Sequence, residues 1–114
     1  MNPIIVYQSG RILSSTEGVQ VIAWTKNAIE QDIRYLLLDL SGTSFMDSSG
    51  LGAIVVASKR ARERNIKFAL CSLSGQARML LELSNMETQF EIFPSRQAFD
   101  QHLLKPDDDA NVSS

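Results

Sequence analysis

The chain has 114 residues, of which 44% are hydrophobic and 21% charged, the balance of one soluble globular domain and too short for two. A net charge of -2 gives no general attraction to nucleic acid or anionic lipid, so direct nucleic-acid binding is not expected. One cysteine and one histidine exclude an internal disulfide and the usual tetrahedral zinc sets.

The first element is the short β-type run Ile4 to Tyr7, closed by Gly10 and expected at a sheet edge. Ser14 to Glu17 offer N-cap residues ahead of a helix to about Glu30, with Val21, Ile22, Thr25 and Ile29 on one face and Trp24 beside it. Tyr35 to Leu40 is a nearly continuous apolar run, as a strand covered on both faces requires. A polar turn and a helix from about Gly50 to Arg64 follow, then a central strand over Ile66 to about Leu70; Cys71, which closes the apolar run Phe68-Ala69-Leu70-Cys71, is read as a small buried hydrophobe. A third helix spans Gln76 to Leu83, packing Ala77, Leu80 and Leu81. Phe90 to Phe93 is the last strand, and a fourth helix after Pro94 and Ser95 buries Ala98, Phe99 and Leu103. Residues 1–104 form the domain, and residues 105–114, with Pro106 and three aspartates, are expected to be a disordered tail.

Strands alternating with helices imply an α/β fold with a largely parallel sheet of about four strands and about four helices. No stretch approaches the roughly 18 apolar residues of a membrane span, and the N-terminus lacks the pattern of a secretory signal, so membrane insertion is not expected and the location is expected to be cytoplasmic. The sequon Asn111-Val112-Ser113 lies in the tail and reads as chance.

Chemistry concentrates in Phe45-Met46-Asp47-Ser48-Ser49-Gly50-Leu51-Gly52, between the buried strand and its helix. Asp47 and Ser48 are N-cap types, which puts Ser48 at a helix start near the surface. At helical spacing Leu51, Ile54, Val55, Ser58 and Ala61 form the core face. Gly52, Ala53 and Val56 fall on the other side, where they form either a small apolar patch in water or a surface covered by another element. Gly50 and Gly52 disfavour helix and so point to close backbone approach. The basic run Lys59 to Arg64 reads as a solvated helix face.

Enzyme chemistry finds little support. A nucleophile elbow needs a glycine two residues before the serine, where Met46 stands. The only histidine, His102, lies on the last helix. Neither a dinucleotide fingerprint nor a Gly-Lys-Ser/Thr phosphate loop is present, so no cofactor is expected. Asp39 alternates within a buried strand, where a structural use is expected. A phosphate on Ser48, by contrast, would place about -1.5 to -2 charge at the positive end of a helix, favourable by roughly 0.3 to 1 kcal/mol for the monomer. Against an acidic group of a docked partner about 6 Å away it would cost from roughly 1.4 kcal/mol in water to about 5 at an effective dielectric of 20.

At these residues the sequence resembles the STAS family, and within it the bacterial anti-sigma-factor antagonists. The strand Leu36-Leu37-Leu38-Asp39-Leu40 and the stretch Phe45 to Gly52 carry the resemblance, and a weaker likeness runs from Gly10 to about Leu103, including Ser74-Gly75-Gln76-Ala77-Arg78-Met79-Leu80-Leu81. The resemblance implies a binding module, not an enzyme: it holds an anti-sigma factor that is also a serine kinase, is released when that kinase phosphorylates Ser48, and is reset by a serine phosphatase. ATP belongs to the partner. The docking surface is then expected at Asp47, Ser49, Gly50, Gly52, Ala53 and Val56. The alternative is a subunit of a membrane assembly, like the STAS subunit of lipid-trafficking transporters, docking through the same helix without phosphorylation. Two departures stand out. The family carries one more N-terminal strand than the nine residues before Gly10 accommodate, so one sheet edge is expected to be missing or supplied by another chain, and the oligomeric state stays open. The family's acid in the turn Gly10-Arg11-Ile12-Leu13 is absent.

Overall fold

Burial of the whole strand β3, Tyr35–Asp39, sets the plan of the molecule. The structure, a computed structural model, describes residues 4–104; the expected tail lies outside them. β1 (Ile4–Gln8) and β5 (Lys67–Cys71) flank β3, and β6 (Glu91–Phe93) lies beyond β5, giving an all-parallel sheet in the order β1-β3-β5-β6. The register pairs Leu36 with Ile5 and Phe68, and Asp39 with Gln8 and Cys71. β1 is an edge strand among the described residues, as expected.

Because side chains alternate along a strand, β3 feeds two cores. Leu36 and Leu38 point to one face, where α1 (Ser15–Ala28), α2 (Ser48–Glu63) and α3 (Gly75–Leu83) pack through Val21, Ala28, Ile54, Ala57, Ala61, Ala77 and Leu81. Tyr35 and Leu37 point to the other, where Ala69 and Cys71 of β5 meet Phe99 of α4 (Arg96–Leu103). Each leucine so buried contributes roughly 1.5 to 3 kcal/mol relative to exposure. Phe99 is held between two rings, edge-on to Tyr35 at 5.0 Å and to Phe93 at 5.2 Å.

The elements match the sequence expectations to within one or two residues, apart from three short pieces. β2 (Ile12–Leu13) and β4 (Phe45–Met46) form a separate two-stranded parallel ribbon, and Glu87–Gln89 is a single 3-10 turn. Ribbons of two residues carry no periodicity to read. The ladder also runs past the ends of the strands, since Leu40 N–H donates to Cys71 O at 3.0 Å and Ser9 N–H to Asp39 O at 3.0 Å. α2 starts two residues before Gly50 and ends where Asn65 turns left-handed (φ 61°), sending the chain into β5.

Candidate functional site

At the carboxyl ends of β1 and β3 the chain makes two excursions, and the ribbon β2/β4 ties them together. Ser44 and Phe45 N–H both donate to Arg11 O, at 2.9 and 3.2 Å, and Thr43 Oγ1 donates to Gly10 O at 2.9 Å. Asp47 N–H continues this pairing to Leu13 O at 3.3 Å. The far edge of β4 is closed by a side chain: the Gln76 amide accepts from Met46 N–H and donates to Met46 O, both at 2.8 Å, standing in for a neighbouring strand. Nothing in the sequence around Phe45 points to Gln76, which lies thirty residues on; only the likeness over Ser74 to Leu81 marks its neighbourhood.

This frame aims the start of α2. Asp47 is the N-cap, its Oδ1 accepting from Gly50 N–H at 3.0 Å while its carbonyl accepts the first helical bond from Leu51 N–H at 2.9 Å. Of the two candidate cap residues it is therefore Asp47 that caps, and Ser48 is the first helical residue, exposed to solvent. Amides of the first turn have no helical partner, so Ser48 stands at the positive pole of a sixteen-residue helix. Close packing explains Gly50: a Cβ there would lie 2.0 Å from the Leu13 carbonyl oxygen.

The turn of residues 10–14 lacks the acid that the resemblance leads one to expect, but a carboxylate serves its backbone. Glu17, in the first turn of α1, accepts from Gly10 N–H at 2.8 Å and from the Tyr7 hydroxyl at 3.0 Å through Oε2. Burial, and then the hydrogen bond and charge of Glu17, push the Tyr7 hydroxyl pKa up.

The expected docking residues divide in two. Ser48, Ser49, Gly52 and Val56 are exposed and Asp47 is half-buried, whereas Gly50 and Ala53 are buried. Ala53 thus departs from the open-patch alternative: α1 covers it, with Gly18 so near that a Cβ on it would meet the Ala53 Cβ at 2.9 Å. What remains open is a shallow groove of about 220 Å³ between the two helices, lined among others by Val19, Ile22, Ser49, Gly52 and Val56. Val19 is 63% exposed and Val56 36%, and on the ribbon the paired Ile12 and Phe45 are 53% and 45% exposed. Exposed apolar side chains therefore lie on α1, on α2 and on the ribbon that leads into Ser48.

Among the described residues, catalytic partners for Ser48 are not assembled. His102 sits on α4, across the sheet, against the Phe93 ring and 3.7 Å from Glu91. The Asp39 carboxylate accepts from Ser41 N–H at 2.9 Å, the structural use expected for it. Cys71 is buried, and burial, followed by the charge of Asp39, pushes its thiol pKa up. Among the described residues no group of three or more His, Cys, Asp or Glu could hold a metal, and no helix is long and apolar enough to cross a membrane.

Comparison with known proteins places this geometry in a family. The family model described as STAS domain matches residues 3–99. The anti-sigma F factor antagonist of Paenibacillus polymyxa is 28% identical over 91 residues, 80% of this chain and 75% of that protein. The anti-sigma factor antagonist SpoIIAA in its unphosphorylated form superposes with a TM-score of 0.72 at 20% identity over 89% of each chain, and its phosphorylated form with 0.66. The STAS domain of a SulP transporter from Vibrio cholerae shares the fold as well, with a TM-score of 0.74 at 16% identity over 92% of this chain and 86% of that one.

Proposed function

The chain belongs to the STAS domain family, and from that premise we propose that it is a phospho-switched antagonist of an anti-sigma factor. With Ser48 unmodified it docks on an anti-sigma factor that is also a serine kinase; phosphorylation of Ser48 by that kinase ends the complex, and a serine phosphatase restores it. The chain is a binding module in this cycle and catalyses no step. It acts in the cytoplasm, where such partners and ATP are found.

One observation carries the reading: Ser48 is exposed at the first position of a helix whose start is fixed by Asp47, the ribbon and Gln76. A kinase can reach such a hydroxyl, and the helix end tolerates the added charge. A partner lying over Ser49, Gly52 and Val56 does not, because a charge brought into a partly dry interface interacts more strongly than one in water. The relatives named as anti-sigma factor antagonists support the same direction. Asp47 and Gly50 act here by holding the loop, Ala53 by seating α2 on α1.

The test is binding to the cognate kinase recovered by pull-down from the native organism, with phosphosite mapping after addition of ATP. Ser48→Ala should bind and resist release, and Ser48→Asp should not bind. Equal affinity of both variants and the wild type removes the mechanism. Co-purification with an ABC ATPase, indifferent to Ser48, would favour docking within a transporter instead.

A further inference from the structure

The outer stripe of α2 changes character along its length. Ser49, Gly52, Val56, Lys59 and Glu63 recur three or four residues apart, and Arg60, four after Val56, borders the same face. With α1 this stripe bounds a groove with two parts. Near Ser48 it is apolar, through Val19, Ile22, Gly52 and Val56. Farther down it is lined by Ile29, Val56, Lys59, Arg60, Glu63 and Arg64. Val56 lines both parts, so the two adjoin at its side chain.

The lower part holds three cations against one acid, in a chain whose net charge is -2. Among the described residues none of Lys59, Arg60 and Arg64 is in an ion pair. Basic residues in the last turn of α2 also complement the helix dipole, but that role places no apolar trough beside them. A surface that passes from aliphatic to cationic across Val56 matches a segment that grades from aliphatic to acidic.

We propose that this groove receives an amphipathic helix of the docking partner, with aliphatic side chains along Val19, Ile22 and Val56 and acidic side chains over Lys59, Arg60 and Arg64. The inference rests on the reading of α2 as the docking element and adds the chemistry of what docks. Fifteen residues separate Ser49 from Arg64, a run of about 22 Å, which four turns of a partner helix would span. Ser48 and Arg60 are about 18 Å apart along the axis, beyond two Debye lengths of about 8 Å at physiological salt. The two ends therefore act almost independently: Ser48 decides whether the partner docks, and the basic end decides which partner does.

The test needs neither kinase nor ATP. The isotopically labelled full chain is titrated with a helical peptide of about 16 residues, leucine along one face and glutamate over its last turn, and with a counterpart bearing lysine for glutamate. The acidic peptide should shift the amides of Val19, Ile22, Val56 and Arg60 and bind at least about tenfold more tightly than the basic one, a preference that fades with added salt. Lys59→Glu with Arg60→Glu should reverse the preference, and Val56→Asp should abolish binding of both, with each variant's thermal melt confirming that it folds. Equal binding of the two peptides, shifts elsewhere on the chain, no shifts at millimolar peptide, or binding of anionic vesicles in place of the acidic peptide overturns the proposal. Those results leave the Ser48 experiment untouched, and failure at Ser48 leaves the peptide preference standing.

Discussion

A phosphate on Ser48 would meet the free amides at the start of α2, so its charge has somewhere to go within the monomer. Ser48→Asp imitates part of that charge and should leave the unfolding free energy within about 0.5 kcal/mol of wild type, read from urea melts. A loss well above that would mean that the position is structural. Asp47→Ala is the contrasting case, because it removes the oxygen that accepts from Gly50 N–H, and a lost N-cap costs about 1 kcal/mol. Both residues were legible in the sequence because capping is local chemistry, decided within three or four positions. Which of them caps was not, since both are acceptable types; the ribbon bond from Asp47 N–H to Leu13 O sets the register.

At the level of elements, the two glycines of α2 make opposite predictions. Alanine at position 50 would drive a Cβ into the Leu13 carbonyl, a backbone atom that cannot step aside, so Gly50→Ala should destabilise by about 3 kcal/mol or more. A Cβ on Gly52 meets nothing within 4 Å. Gly52→Ala should therefore stabilise by roughly 0.5 to 1 kcal/mol through helix propensity, while weakening any partner that uses the close approach a glycine allows. Urea unfolding separates the signs, and a destabilised Gly52→Ala would contradict the packing described. Gln76→Ala strips both hydrogen bonds from Met46 and should cost about 1 to 3 kcal/mol, with the Met46 amide exchanging faster with solvent. The sequence marked both glycines as points of close approach, which holds for Gly50 and its own chain. It could not show the Gln76 clamp, because a glutamine that replaces a strand looks like any other surface amide until the chain is folded.

On the scale of the whole molecule, the sheet keeps its two faces apart: Ser48 and the groove lie with α1 and α2, and the aromatic cluster of Tyr35, Phe93 and Phe99 lies with α4. Alternation of strand and helix patterns was enough to expect that architecture, and the continuous apolar run of β3 to place it at the centre. The far face also sets an alkaline limit. The Tyr35 hydroxyl donates to Glu91, and burial, then the hydrogen bond and charge of Glu91, hold its pKa above the ordinary 10. The folded state keeps that proton when the unfolded chain has lost it, so this contribution is intact below pH about 10 and falls away above it. The urea midpoint should drop through that range, and less steeply in Tyr35→Phe. None of this touches Ser48, which lies on the other face. The most direct measurement is therefore calorimetric titration of the cognate kinase with two preparations of the same chain, one phosphorylated at Ser48 and one not. We expect the unmodified chain to bind and the phosphorylated chain to bind at least about tenfold more weakly, with both melting alike; equal affinities, or a phosphorylated chain that no longer folds, would contradict the account.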